Sequence, residues 1–179
     1  MITYRVGNKD DQRLIADLHS KSWIDSYRGF VSDFYLDHEV EEDRKEVWQK
    51  RFESGDPNLL VLIAEEGDQA CGFAGTYLNH DPQWGALLDN LHVLKTHQGL
   101  GIGAQLLIRS AHWVHSKNPD SPLYLWVYTE NNKARDFYER LGASYADSGV
   151  VDNPGGGRAP IIRCVWNDLQ SLICAKAII

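Results

Sequence analysis

The chain has 179 residues, 43% hydrophobic and 11% aromatic, which excludes intrinsic disorder and fits a single domain over residues 1–179, burying roughly 70% of its unfolded surface. Acidic residues number 25 against 18 basic ones, a net charge of -7, so no nucleic-acid partner is expected and cationic substrates are welcome. No apolar run approaches the ~20 residues of a bilayer span, and Met1-Ile2-Thr3-Tyr4-Arg5 lacks the layout of a signal peptide; Cys71, Cys164 and Cys174 are never in C-x-x-C, so the expectation is a cytoplasmic protein without membrane association, disulfide framework or zinc site.

In chain order, residues 3–6 predict a short alternating strand, and Asp10 and Asp11 open a helical stretch carrying Leu14, Ile15, Leu18, Ser22 and Ile24. Arg28-Gly29-Phe30 breaks it, and a second helical stretch is predicted over about residues 33–52. After the loop Ser54-Gly55-Asp56-Pro57, the runs 59–64 and 70–78 flank the turn Glu65-Glu66-Gly67-Asp68 and predict a hairpin. Residues 87–93 form the next strand, where a period of two puts Leu87, Asp89, Leu91 and Val93 on one face and Leu88, Asn90 and His92 on the other. A Gly-rich turn at Gly99, Gly101 and Gly103 leads into a helix reaching about Lys117, with Leu107, Ala111 and Val114 on one stripe. Leu123–Tyr128 is an apolar strand, and Asn131 or Asn132 caps a helix with Ala134, Phe137, Tyr138 and Leu141 on one face, stopped by Gly142. Residues 143–151 and 160–166 are two last strands, separated by Asn153-Pro154-Gly155-Gly156-Gly157. The order β-α-α-β-β-β-α-β-α-β-β mixes hairpins with βαβ units, which predicts an α+β or mixed-sheet α/β fold.

The segment Gln98-Gly99-Leu100-Gly101-Ile102-Gly103-Ala104 is the most informative. Its glycines let a ligand approach the backbone, and the helix that follows adds unsatisfied N–H groups and a positive dipole end, so the segment reads as a pyrophosphate site. Gly99-x-Gly101-x-x-Ala104 formally satisfies the dinucleotide fingerprint, but that fingerprint expects glycines directly after the first strand. Here Leu94-Lys95-Thr96-His97-Gln98 intervene, and three strands come earlier; no G-x-x-x-x-G-K-[ST] string exists.

Leu91-His92-Val93 followed by Gln98 to Gly103 resembles the Q/R-x-x-G-x-G/A motif of the GCN5-related N-acetyltransferases. The run Asn131-Asn132-Lys133-Ala134-Arg135-Asp136-Phe137-Tyr138-Glu139-Arg140-Leu141-Gly142 resembles that family's asparagine-to-tyrosine helix. The resemblance implies a splayed, mostly antiparallel mixed sheet of about seven strands with helices on both faces. It also implies acetyl-coenzyme A as co-substrate, no metal, and a small-molecule or peptide amine as acceptor, in a monomer or homodimer. The backbone of Leu91, His92 and Val93 would pair with the pantetheine arm, the amides from Gly99 to Ala104 would wrap the pyrophosphate, and Asn131 would bond near the pantetheine. One departure is Lys95, in a loop where relatives often carry proline.

Direct transfer needs no enzyme nucleophile, so Cys71 and Ser144 are not nominated. A strand amide near Val93 suits the oxyanion role. Tyr138 matches the family tyrosine and is the expected general acid, a phenol protonated at neutral pH. The base is open: relatives often carry acids where this chain has Leu87 and Trp126, which leaves Asp89, Glu130, His92 or a water chain. Trp23, Tyr27, Phe30, Phe34 and Tyr35 are candidates for an amine pocket or for plain core, and Trp126 joins the substrate candidates. The loop Gly155-Gly156-Gly157-Arg158 is expected on the acceptor side, His112 and His115 are read as surface histidines, and the acidic run 39–43 as a solvated helix face. The competing readings are a non-catalytic acyl-coenzyme A-binding module on the same fold and a dinucleotide-dependent oxidoreductase.

Overall fold

The run Leu59 to Ala64 is apolar without alternation because both of its faces are covered. Leu60, Leu62 and Ala64 share a core with Ile102, Leu106, Leu107, Ala111 and Val114. Val61 and Ile63 face the opposite way, onto Ile15, Leu18 and Trp48. The structure is a computed structural model that describes residues 1–174; residues 175–179, the end of the expected domain, lie outside the described residues.

The elements are β1 (Ile2–Val6), α1 (Gln12–Ser26), α2 (Asp33–His38), α3 (Val40–Ser54), β2 (Leu59–Glu66), β3 (Gln69–Asp81), β4 (Gly85–Val93), α4 (Ile102–Lys117), β5 (Leu123–Tyr128), α5 (Asn132–Arg140), β6 (Ser144–Asp152), β7 (Arg158–Trp166) and α6 (Leu169–Cys174). The strands form one mixed sheet in the order β1-β2-β3-β4-β5-β7-β6. Every neighbouring pair is antiparallel except β4 and β5. α4 and α6 cover one face; α1 and α3 cover the other.

Three local features differ from the periodicity reading. The helical stretch 33–52 is two helices, parted at Glu39 (φ −120°, ψ −29°). The bend gathers Val31, Tyr35, Leu36 and Val40 into one buried cluster and lets the Tyr35 hydroxyl donate to the Asp43 carboxylate. A terminal helix, α6, follows the last strand: Asp168 accepts from the N–H groups of Gln170 and Ser171, while Leu169 and Leu172 bury against the α4 side.

The third feature matters most for the site. Gly75 faces Asn90 but Thr76 faces Leu88, so Asp89 is an extra residue, a β-bulge in β4. The expected sharing of one face by Leu87, Asp89, Leu91 and Val93 is therefore corrected. Leu88 and Leu91, three apart, both pack on the α4 side, whereas Asp89 and Asn90 both reach Arg51 of α3. A bulge inserts one residue, and the alternation changes phase there.

Candidate active site

β4 and β5 are paired only at Ala86–Leu123 and Leu87–Tyr124, and beyond these residues they part. Leu94 donates its N–H to the Cys71 carbonyl of β3 at 2.9 Å. By the alternation of an antiparallel ladder, the N–H groups of Val93 and Leu91 point the other way, into the gap that β5 leaves open. The gap is a sheet edge inside the molecule, with donors and acceptors available to an extended ligand.

At the end of that edge the chain turns through a short 3-10 turn, Lys95–His97, into the glycine segment. Gly99 (φ +83°) and Gly101 (φ +74°) take left-handed conformations that β-carbons disfavour, and a Cβ at Gly99 would meet nothing within 4 Å. α4 starts at Ile102 with Gly101 as its cap, and no side chain satisfies its first N–H groups. Gln98 is exposed and ties the turn together: its Nε2 donates to the Val93 carbonyl at 3.2 Å, and its Oε1 accepts from Lys133 of α5 at 2.7 Å. Leu100 is 62% exposed beside the turn, Ile102 is buried, and Ala104 is buried one turn into α4.

Beyond the gap lies a cavity of about 250 Å³. Val127, Asn131, Ala134 and Tyr138 line one side; Trp23, Tyr27, Trp126, Tyr128, Val151 and Ile161 line the other. Asn131 caps α5, accepting from the Ala134 N–H at 3.1 Å through Oδ1, which leaves its amide nitrogen for another partner. Tyr138 packs edge-on against Trp166, whose indole N–H is fixed on the Leu141 carbonyl at 2.8 Å. Burial, with Tyr27 and Cys164 adding to it, raises the Tyr138 hydroxyl well above the ordinary phenol range. Tyr27 is likewise pushed up to about 12, by burial first and then by Tyr128 and Asp89. Both phenols are neutral throughout the physiological range.

The N-terminal aromatics divide. Trp23 and Tyr27 line the cavity, and Phe30 stacks on the lining residue Tyr128 with ring centroids 5.2 Å apart. Phe34 is 64% exposed, and Tyr35 is buried on Asp43, outside the lining. Trp126 carries the Arg163 guanidinium on its ring at 4.3 Å, and Trp23 carries that of Arg44 at 4.5 Å. The loop after β6 is fastened rather than loose. Asn153 donates to the Phe30 carbonyl at 2.8 Å and accepts from the Tyr128 hydroxyl at 2.8 Å, and Gly155 lies against Tyr35, where a Cβ would come within 2.4 Å.

None of the three base candidates lines the cavity. Asp89 is ion-paired with Arg51 at 2.6 Å, and Glu130 is exposed in the turn before α5. His92 is buried, its Nδ1 3.0 Å from the Ser22 hydroxyl and its ring 4.6 Å from that of His19. Burial, reinforced by Arg44, pushes His92 down to about 3, so its imidazole is neutral. Cys71 and Cys164 are buried thiols, the latter pushed up to about 12, and Ser144 bonds the Val165 carbonyl. On α4, His112 is exposed and His115 half-buried.

Periodicity missed four lining or closing residues. Tyr128 shares a strand face with Trp126, two residues away, so its place was readable. Val151 and Ile161 depend on pairing across the β6–β7 hairpin, and Asn153 looks like an ordinary turn residue.

Residues 20–143 match the family model described as the acetyltransferase (GNAT) family. The chain belongs to the GNAT family. It is 29% identical over 147 residues, 78% of each chain, to the Mycobacterium tuberculosis protein named probable N-acetyltransferase Rv2775. It is also 24% identical over 177 residues, 96% of each chain, to the uncharacterized N-acetyltransferase YuaI of Bacillus subtilis. In fold it resembles the PaiA N-acetyltransferase of Thermoplasma acidophilum, solved in complex with coenzyme A: TM-score 0.68, 23% identity, 91% of this chain and 98% of that one. The parted parallel strands and the glycine turn of this chain both lie within the matched residues. Among the described residues, no helix is long and apolar enough to cross a membrane.

Proposed function

We propose that this GNAT protein transfers the acetyl group of acetyl-coenzyme A directly to a primary amine, both substrates being bound at once. The observation that carries the reading is the opening between β4 and β5 together with the uncapped, glycine-lined start of α4 and a cavity lined by β5 residues and Tyr138. The Thermoplasma relative was solved with coenzyme A, which supports the same ligand class here.

The residues fit the group. The N–H groups of Leu91 and Val93 offer a free sheet edge to the pantetheine amides, whereas the expected contribution of His92 is corrected, its backbone facing β3; Asn131 Nδ2 is a further donor. The N–H groups from Gly99 to Ala104 are unobstructed donors for a pyrophosphate, helped by the positive end of α4. Bound there, acetyl-coenzyme A supplies an activated thioester. The Val93 N–H stabilises negative charge on the carbonyl oxygen, an interaction of the kind worth about 3 kcal/mol in an enclosed site. Tyr138 holds a proton at its hydroxyl for the departing sulfur. Its raised pKa keeps that proton in place until a buried thiolate, itself disfavoured by desolvation, takes it. The amine's proton leaves through water in this account, since Asp89 is committed to Arg51 and His92 to Ser22.

Incubating the protein with acetyl-coenzyme A and a panel of primary amines, with free thiol as readout, tests the proposal. Amine-dependent thiol release is expected. Tight cofactor binding with no turnover on any amine would overturn the enzymatic reading and favour an acyl-coenzyme A-binding module.

A further inference from the structure

We infer that the acceptor is a small primary amine on an apolar, preferably aromatic, body, and neither a polyamine nor a peptide lysine. This rests on the acetyl-transfer reading and adds the substrate class. Three observations carry it: the chemistry of the walls, the charges behind them, and the closure of one side.

The acceptor-side walls are Trp23, Tyr27, Trp126, Tyr128, Val151 and Ile161. They offer rings and aliphatic surface, with two phenol groups and no ionised side chain. Rings lying against such walls gain offset or edge contacts as well as area burial. Among the described residues, no carboxylate lines the cavity, and three carboxylates around it are engaged with arginines. Asp89 pairs with Arg51 at 2.6 Å, Asp43 with Arg44 at 2.8 Å and Asp147 with Arg163 at 2.8 Å. Arg44 and Arg163 moreover sit on the rings of Trp23 and Trp126, so each indole already serves a cation. The second and third ammonium groups of a polyamine would enter without a counter-charge, and an unpaired buried charge is costly. A single amino group, deprotonated before attack, escapes that cost.

Size and closure point the same way. A cavity of roughly 150 Å³ holds one benzene ring. The 250 Å³ here, partly open to solvent and shared with an acetyl group, matches about one ring and a short linker. Asn153 joins the α1–α2 segment to β5 through Phe30 and Tyr128, and Gly155 seats the β6–β7 loop on Tyr35. A peptide lying across this face would have to part that junction.

The test is calorimetric binding to the coenzyme A-loaded protein, with 2-phenylethylamine, spermidine and Nα-acetyl-lysine amide as probes. The expected result is a dissociation constant for 2-phenylethylamine at least tenfold below those of the other two. Trp126→Ala should weaken 2-phenylethylamine at least fivefold with coenzyme A affinity unchanged, and Trp126→Phe should restore most of the loss. No saturable binding of 2-phenylethylamine, or equal or tighter binding of spermidine or the lysine amide, overturns the inference while leaving acetyl transfer standing. A protein that fails to bind coenzyme A at all overturns acetyl transfer, and the inference falls with it.

Discussion

Asn153 and Phe30 lie 123 positions apart in the chain, yet the Asn153 side chain donates to the Phe30 carbonyl at 2.8 Å. The same carboxamide accepts from Tyr128 at 2.8 Å, so one side chain ties the helical cap, a central strand and the β6–β7 loop around the cavity. Replacing it with alanine removes two partly buried hydrogen bonds and leaves their partners unsatisfied. We expect Asn153→Ala to cost about 1–2 kcal/mol, a fall in melting temperature of roughly 2–8 °C by calorimetry. An unchanged melting temperature would show that the junction is not formed in solution.

Tyr138→Phe removes the hydroxyl of a residue that lines the cavity while keeping the ring that packs on Trp166. Turnover should fall about 10²- to 10⁴-fold, the usual worth of a positioned proton donor. Coenzyme A affinity should stay within about twofold. Equal activity in steady-state assays of the two proteins would remove Tyr138 from the chemistry.

Gly99 adopts φ +83° with open space around its missing Cβ. A valine there meets backbone strain rather than a clash, on the order of 1–2 kcal/mol, and its branches occupy the space above the turn. Gly99→Val should lower the melting temperature by a few degrees and weaken coenzyme A more than roughly tenfold. Undiminished affinity would place the pyrophosphate elsewhere.

His92 makes stability depend on pH. Its folded-state pKa, about 3, lies below that of the unfolded chain, so between about pH 6.5 and 3 the unfolded chain binds a proton that the folded chain refuses. Stability contributed by the neutral ring is complete above pH 6.5 and declines as the solution is acidified. Between pH 6.5 and 5 the loss is about 2 kcal/mol, and His19, also lowered by burial, acts in the same direction. Urea unfolding at the two pH values measures it, and His92→Gln should shrink the difference by that amount. A difference as large in the variant as in the parent would place the effect on other groups.

Much of this architecture is written in local sequence. The apolar run at Leu59, the glycine turn and the Asn131 cap each report their own element, because backbone geometry there is set by nearby residues. The Asp89 bulge is not written locally. A bulge exists only through the mismatch between β4 and its neighbour, and period-two reading assigns Asp89 to the wrong set of companions. The break at Glu39 is similar, since Tyr35, Asp43 and Val31 favour it through tertiary packing rather than propensity. Of the cavity lining, Asn131 and Tyr138 stand in a motif visible in the sequence, as does the Gly99–Ala104 turn outside it. Asn153, Val151 and Ile161 do not, because their relation to Tyr27 and Trp126 arises only when distant segments meet.

The most direct measurement is titration of coenzyme A into the folded protein by isothermal calorimetry, paired with thermal unfolding at increasing ligand. Cofactor binding at the start of α4 predicts saturable heat with one site per chain and a melting temperature that climbs with ligand, since binding to the folded state alone stabilises it. No heat and no thermal protection at millimolar coenzyme A would contradict such binding.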